Sequence, residues 1–130
     1  MTDVARKIRL GPGQRLRVLQ APATIEALLG PLPDGASLAS PGEAADVTLL
    51  FARDLAALER DLPDAAGPRA DDRLLWVAYP KKSGPLASDL DRDGLVAAAE
   101  RVAALTGVTL VSLDTTWSAM RLRPAARYGR

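Results

Sequence analysis

The segment Leu74-Leu-Trp-Val-Ala-Tyr-Pro-Lys-Lys-Ser83 decides the fold class that the sequence predicts. Its first six residues are all apolar or aromatic, whereas a strand with one face in water alternates apolar and polar residues. We therefore predict a strand at 73–79 that is buried on both faces, which is typical of a parallel sheet covered by helices on both sides. The strand ends abruptly in the charged pair Lys81 and Lys82.

Strands and helices are predicted to alternate along the rest of the chain. Apolar patterns between turn signals predict strands at 15–20, 46–52, 108–113 and 117–123, and a weak strand around Leu38. The strand at 108–113 is expected to be buried on both faces. Apolar stripes at helical spacing predict helices at 22–29, 54–62 and 91–106. Gly30-Pro31 and Pro63 are expected to end the first two helices, and Gly107 to supply the left-handed cap of the third.

This alternation predicts the fold class. Strands joined through helices favour a mostly parallel sheet with helices on both faces. The turn at Asp114-Thr-Thr116 predicts that the last two strands form an antiparallel hairpin. We therefore expect an α/β, three-layer Rossmann-like fold with a C-terminal antiparallel hairpin strand, in one domain over residues 1–130.

Composition excludes several classes of function. The chain has neither cysteine nor histidine, so disulfides, Ser-His and Cys-His catalysis and the usual zinc sites are impossible. A net charge of +1 indicates no general binding of nucleic acid or membranes, and the basic end (Arg121, Arg123, Arg127 and Arg130) is interpreted as a solvated tail. No signal peptide or membrane span is evident, so we expect a cytoplasmic protein.

The ends of the predicted strands indicate where a ligand would bind. In open α/β sheets, ligands lie beyond the carboxyl ends of the parallel strands. Those ends here are 20–22, 53–54, 80–83 and 114–116. Two of the three lysines, Lys81 and Lys82, stand together at this edge of a chain that otherwise carries fourteen arginines. Paired ammonium groups beside a hydroxyl and backbone amides suit a phosphate or a carboxylate.

Seven candidate ligand-binding residues follow from this placement: Arg53, Lys81, Lys82, Ser83, Asp114, Thr116 and Trp117. The lysine pair and Ser83 would hold an anionic group, Arg53 would reinforce the positive charge, and Thr116 and Trp117 would form the opposite wall. The alternative is a solvated strand end, or one lysine paired with Asp114. Trp117 is placed equally well in the core or in a stacking role, whereas Trp76 is predicted to be core and the Tyr79 hydroxyl to cap a strand end.

The segment Asp89-Leu-Asp-Arg-Asp-Gly-Leu-Val-Ala-Ala-Ala-Glu100 matches the pattern of a calcium-binding loop. Gly84-Pro85 stands where the entering helix should be, and the residues from Leu95 onward favour helix. If Asp91 caps that helix, Glu100 lies too far from Asp89 to share an ion. We therefore predict no metal site and interpret the acidic residues as favourable charges at a helix N-terminus.

Two resemblances bear on function. Leu10-Gly-Pro-Gly-Gln-Arg-Leu-Arg-Val-Leu19, the strand from Leu74 to Lys81 and the terminal hairpin resemble a shortened S-adenosylmethionine-dependent methyltransferase domain. Where that family has an acidic residue and a run of glycines after the first strand, this chain has Gln20-Ala-Pro-Ala-Thr24, and we expect no cofactor. Trp76 to Lys82 and Asp114-Thr-Thr-Trp-Ser-Ala-Met-Arg121 are similar to an uncharacterised bacterial family of small Rossmann-like proteins, which implies a fold and no activity.

The sequence thus favours a non-catalytic Rossmann-like protein that binds a small anionic ligand or a protein partner at the carboxyl edge of the sheet. A divergent group transferase of the methyltransferase-like type, with Lys82 or Asp114 handling the proton, is the alternative from the class of enzymes. An acid or base with a perturbed pKa in a closed pocket would distinguish the enzyme from the binding protein. A third alternative is a structural homodimer, which an exposed apolar patch across the terminal hairpin would support.

Overall fold

A computed structural model describes residues 4–40, 43–67 and 74–124 of the chain. Its helices are α1 (Val4–Lys7), α2 (Ile25–Leu29), α3 (Leu55–Ala66) and α4 (Arg92–Ala103). Its strands are β1 (Arg15–Leu19), β2 (Ser37–Leu38), β3 (Val47–Phe51), β4 (Leu74–Pro80), β5 (Leu105–Ser112) and β6 (Trp117–Pro124). The six strands form one sheet in the order β2-β1-β3-β4-β6-β5.

The sheet is mostly parallel, and the terminal hairpin supplies its antiparallel strand. β1 pairs in parallel with β2 and β3, and β3 pairs in parallel with β4. β6 runs antiparallel between β4 and β5, with Trp117 opposite Pro80 and Ser118 opposite Ser112. α3 and α4 pack on one face of the sheet, and α1 and α2 pack on the other. The predicted Rossmann-like α/β fold is confirmed.

The central strand is buried on both faces, as its run of apolar residues predicts. Residues 75–80 of β4 are all buried, and odd and even positions contribute to the two different cores. Trp76 is fully buried on the α1 side, where its indole N–H donates to the backbone oxygen of Ile8 at 3.0 Å. A buried indole needs such an acceptor, so Trp76 is a structural residue, as predicted.

The last helix ends earlier than predicted. Asp91 caps α4 as expected, with its carboxylate accepting from the Gly94 N–H at 2.8 Å. The helix stops at Ala103 and its left-handed residue is Ala104 (φ 55°, ψ 41°), so the prediction of Gly107 as the cap was wrong. Gly107 lies inside β5, where an added Cβ would collide with the thioether of Met120. Its lack of a side chain therefore serves close packing between β5 and its neighbours.

Two further expectations were wrong. Pro63 does not end α3, because the helix continues to Ala66 with Pro63 in its last turn, and Gly67 closes it through a bond to the Pro63 carbonyl. Strand β5 is an edge strand rather than one buried on both faces, with Val108 37% and Leu110 45% exposed. An edge position leaves one side of a strand uncovered, so apolar runs alone do not predict burial there.

Some expectations fall outside the described residues, namely those on Arg73 and on Arg127 and Arg130 of the basic end. Within the described ranges, none of the helices is both long enough and apolar enough to span a bilayer.

Candidate functional site

The carboxyl end of β4 and the start of β6 meet at one edge of the sheet. We call residues 81–84 the lysine loop and residues 114–116 the Asp114 turn. The Lys81 N–H donates to the Thr116 carbonyl at 2.8 Å, which joins the two segments directly after the last cross-strand pair, Pro80 and Trp117. The antiparallel hairpin therefore brings the Asp114 turn beside the lysines.

Gly84 holds the lysine loop against this turn. A Cβ at Gly84 would lie 2.8 Å from the Thr115 carbonyl oxygen and 3.4 Å from the Thr116 Cα. The Gly84 N–H also closes the loop by donating to the Lys81 carbonyl at 3.1 Å. Both segments approach through backbone atoms, so the position of the lysines depends on a residue without a side chain.

The side chain of Asp114 is used within its own turn. One carboxylate oxygen accepts from the backbone N–H groups of Thr116 and Trp117, both at 2.8 Å. The lysines instead contact other groups. The Lys81 ammonium donates to the Ser112 hydroxyl, and the Lys82 ammonium lies 3.6 Å from a carboxylate oxygen of Asp91. The alternative of a lysine paired with Asp114 is therefore not the arrangement in the structure.

The lysine pair opens onto a cleft between the lysine loop and the start of α4, which we call the lysine cleft. Its volume is about 490 Å³. Three cations, two carboxylates and three hydroxyls line it: Lys81, Lys82, Arg92, Asp91, Asp93, Tyr79, Ser83 and Ser118. Of the seven candidate residues, Lys81, Lys82 and Ser83 come together here.

Asp91 is the carboxylate most firmly fixed in this cleft. The bond from the Gly94 N–H is the main cause that holds the pKa of Asp91 below its ordinary value of 3.8, and the charge of Lys82 acts in the same direction. Asp91 is therefore ionised at neutral pH. The Asp91 carboxylate interacts both with the N-terminus of α4 and with Lys82. The Lys82 side chain is 81% exposed, so the Lys82–Asp91 ion pair is weak.

Tyr79 forms part of the cleft from the sheet side, opposite Ser118 in the register. It is 7% exposed, and desolvation raises its pKa above the ordinary value of 10.0, with the nearby Arg92 acting in the opposite direction. The phenol is consequently protonated at neutral pH. A neutral phenol with little access to water can donate a hydrogen bond to an anion.

Within the described residues, Arg53, Thr116 and Trp117 do not line the lysine cleft. Trp117 is 4% exposed, and its ring packs edge-on against Phe51 with centroids 5.0 Å apart at 88°. It is a core residue, so the expectation that it forms a wall of the site is corrected. Thr116 contributes its backbone carbonyl to the lysine loop. Arg53 lines a separate crevice of about 320 Å³.

The crevice beside Arg53 lies at the switch point of the sheet, where β1 and β3 lead to neighbours in opposite directions. Two carboxylates already occupy the N-terminus of α3 there. Asp54 accepts from the Ala57 N–H at 2.8 Å, and Asp89 accepts from the Leu55 N–H at 2.9 Å. The charges that line this crevice balance, with Arg53 and Arg60 against Asp54 and Asp61, whereas cations outnumber carboxylates by three to two in the lysine cleft, so the crevice suits an anionic ligand less.

The loop after β1 does not fit a dinucleotide or S-adenosylmethionine in the mode that glycine-rich loops use. Gln20 takes a left-handed conformation (φ 56°) without being glycine, and Pro22 follows it. The helix after this loop is only five residues long, and Thr24 at its start makes no side-chain cap. A phosphate cradle needs close backbone approach and a helix dipole, and this loop offers neither.

The calcium-loop pattern does not form a calcium loop. Asp89 bonds to α3, Asp91 caps α4, and Glu100 lies on α4. Within the described ranges, no three acidic residues are close enough together to hold a metal ion. The carboxylates of the pattern serve two different helices.

Comparisons with known proteins agree with the fold. No protein-family model matches the chain, and no curated protein is similar in sequence. The structure is similar to that of a protein in the NADB-Rossmann superfamily from Streptococcus agalactiae, with a TM-score of 0.51 over 95% of this chain and 68% of that one. At 10% sequence identity this similarity shows a shared Rossmann-like fold.

Five residues of the lysine cleft were not among the seven sequence candidates: Tyr79, Asp91, Arg92, Asp93 and Ser118. Asp91, Arg92 and Asp93 reach it because the helix that follows β4 begins over the end of that strand. Ser118 reaches it because it pairs with Tyr79. The Asp91 cap was the one signal in the sequence that could have located the start of α4 beside the lysine loop.

Proposed function

We propose that this protein binds a small anion, of the phosphate or carboxylate kind, in the lysine cleft, and that it is not a catalyst. The observation that carries the proposal is the convergence of Lys81, Lys82 and Arg92 on one cleft together with three hydroxyl groups. The volume of about 490 Å³ lies within the range of pockets that hold small molecules, which favours a small ligand over a protein partner.

Both lysines of the cleft are available to a ligand. Lys81 donates to a neutral hydroxyl, so binding an anion would cost it no ion pair. Lys82 gives up only a solvent-exposed contact at 3.6 Å. Charge-assisted hydrogen bonds to an anion are about twice as strong as neutral ones, so the exchange favours the ligand. Because the lysines are solvated, binding should weaken as salt concentration rises.

The titratable groups of the cleft favour binding over catalysis. A general acid or base works best when its pKa lies near the working pH. The pKa of Tyr79 is raised from 10.0 and that of Asp91 is lowered from 3.8, so both move away from neutrality. Tyr79 then acts as a fixed donor and Asp91 as a fixed negative charge that orients Lys82.

The alternative of a group transferase of the methyltransferase-like type has less support. Such an enzyme needs a cofactor cradle after β1, where this chain has Gln20-Ala-Pro-Ala-Thr24 and a helix of five residues. The terminal hairpin fits that resemblance, but a hairpin alone supplies no reacting group.

A thermal-shift experiment tests the proposal. The probes are inorganic phosphate, citrate, adenosine monophosphate and S-adenosylmethionine, on wild type and on Lys81→Ala/Lys82→Ala. The matched control is Arg53→Ala/Arg60→Ala, which removes two cations from the separate crevice and changes the net charge equally. A ligand at a hundred times its dissociation constant stabilises a protein by about 2.7 kcal/mol, which for this length raises the melting temperature by roughly 10 °C.

We expect phosphate or citrate to raise the melting temperature of wild type and of the Arg53→Ala/Arg60→Ala control. The melting temperature of Lys81→Ala/Lys82→Ala should not change. Equal shifts in all three proteins, or loss of the shift in the arginine variant alone, would place the anion elsewhere. A shift with S-adenosylmethionine and with no simple anion would support the transferase instead.

A further inference from the structure

The two edges of the sheet differ in how they are protected. Edge strand β2 consists of two residues, Ser37–Leu38, too few to pair with another strand along any length. Edge strand β5 consists of eight residues, Leu105-Thr-Gly-Val-Thr-Leu-Val-Ser112, with no charged residue and no proline. Proteins usually protect long edges with charges, prolines or bulges, and β5 has only the irregularity between Gly107 and Thr109.

Backbone groups of β5 point away from the sheet. The Leu113 N–H donates to the Trp117 carbonyl, and antiparallel pairs alternate between bonded and non-bonded positions. Thr109 and Val111 therefore bond towards β6, and Leu110 and Ser112 direct their N–H and C=O groups outward. The Lys7 ammonium bonds the Ser112 carbonyl at 2.7 Å, which agrees with that direction. No other strand of the described residues pairs with this edge.

Apolar side chains accompany these backbone groups. Within the described ranges, Val108, Leu110 and Leu38 are the large hydrophobic residues with high exposure, and the first two lie on β5. Leu110 is 45% exposed although its cross-strand partner Met120 is buried. The edge thus combines outward-facing backbone donors and acceptors with apolar surface, which is the combination that binds another strand.

We propose that β5 pairs antiparallel with β5 of a second copy of this chain, with Leu110 beside the twofold axis. The sheets of the two copies would then form one sheet of twelve strands. This surface is distinct from the lysine cleft, and the proposal does not depend on the anion-binding function. Lys7 does not prevent the pairing, because a carbonyl oxygen can accept two hydrogen bonds.

A second copy is the occupant that the chemistry of β5 favours. In a twofold interface each residue meets its own kind or a near neighbour, so a charge near the axis would face a like charge. β5 carries none, and the exposed Leu110 would meet its equivalent. The net charge of +1 adds little repulsion between copies. Because β2 is too short to pair, association stops at the dimer.

The expected dimer is weak. A strand of eight residues is about 27 Å long at about 3.4 Å per residue, and a sheet edge is on the order of 10 Å thick. Pairing through the edge alone buries less surface than a stable interface of about 1,200 Å² or more. The association should therefore be reversible and depend on protein concentration.

Sedimentation equilibrium of the full chain, from about 1 µM to about 1 mM, tests the proposal. Wild type should rise from 13.7 kDa towards twice that mass. Leu110→Lys should stay at the monomer mass, because two ammonium groups would face each other at the axis. Val108→Lys, a second variant on the same edge, should behave likewise. Leu38→Lys, the same change on β2, is the matched control and should associate as wild type does.

Circular dichroism and thermal melts of each variant show whether the fold is retained. We expect that it is, because the side chains of Val108 and Leu110 are exposed and contribute little to the core. A wild type that stays monomeric at about 1 mM overturns the proposal. So does a dimer that persists in both folded β5 variants, or one that Leu38→Lys also abolishes.

Discussion

Replacing Gly84 by alanine tests the packing on which the lysine cleft depends. The new Cβ would lie 2.8 Å from the Thr115 carbonyl oxygen and 3.4 Å from the Lys81 carbonyl oxygen. Non-bonded heavy atoms attract best at about 3.5–4.0 Å, so the first contact is strongly repulsive. Both contacts are with backbone, which cannot rotate away as a side chain can. The lysine loop and the Asp114 turn must separate.

The cost of this separation can be worked from the same contacts. Overpacking by one methyl group costs about 1–3 kcal/mol. Separation also weakens the bond from the Lys81 N–H to the Thr116 carbonyl, which is worth about 1 kcal/mol. Alanine restricts the unfolded chain relative to glycine, which returns about 0.4–1 kcal/mol. We therefore expect Gly84→Ala to lower the free energy of unfolding by about 2 kcal/mol and the melting temperature by roughly 8 °C.

Urea denaturation and the phosphate thermal shift provide the assay. Gly11→Ala is the matched control, since its Cβ would meet only the end of the Gln14 side chain at 3.4 Å. Neither glycine has a positive φ, so the two substitutions differ in contact rather than in backbone strain. Gly84→Ala should also bind phosphate more weakly, because Lys81 and Lys82 move with the loop. Stability and phosphate response equal to those of Gly11→Ala would refute this account of the loop.

Three further predictions concern the helix ends and the titrating groups. Ala104→Gly should stabilise the protein by about 1 kcal/mol in urea denaturation, because glycine takes the left-handed conformation without strain. Gly107→Ala should destabilise it by about 1 kcal/mol, at the low end of overpacking costs, because the Met120 side chain can rotate away from the new Cβ. Opposite signs would restore Gly107 as the cap. Asp91→Ala should lower the urea midpoint at pH 7. Because the pKa of Asp91 is lowered in the folded state, the difference in stability between variant and wild type should disappear as the pH falls below 3.8. A difference that stays constant with pH would contradict the cap. The pKa of Tyr79 is raised in the folded state, so wild type should lose stability as the pH rises above 10.0, and Tyr79→Phe should lose less over the same range.

The sequence predicted those parts of the fold that local chemistry determines. The unbroken apolar run of β4 indicated a strand buried on both faces, and Asp91 could cap α4 wherever the sheet placed it. The end of α4 depended on packing instead. Glycine adopts the left-handed conformation more readily than alanine does. Gly107 nevertheless lies within β5, where Val96 and Met120 pack close to its Cα, and Ala104 is the left-handed residue at the end of α4. Contacts between distant elements outweighed a local preference there.

The candidate site was predictable as an edge of the sheet but not as a cavity. Strand ends and the hairpin were enough to bring Lys81 close to Thr116, since both follow from the direction of β4 and β6. Arg53 stands at the same edge and yet lines a different crevice. The sequence could not separate these positions, because the division depends on how the segment after the lysine loop crosses the edge.

That segment, residues 88–91, decides which crevice can receive an anion. The Ser88 hydroxyl donates to the Arg53 carbonyl, and Asp89 accepts from the first amide of α3, so the segment is tied to the crevice at the switch point. Two residues later Asp91 caps α4 at the rim of the lysine cleft. The crevice at the switch point is lined by two arginines and two aspartates, whereas the lysine cleft is lined by three cations and two carboxylates, one of which caps its own helix. The acidic spacing that imitates a calcium loop thus puts Asp89 on the first amide of α3 and puts Asp91 and Asp93 in the lysine cleft, where Lys81, Lys82 and Arg92 outnumber them.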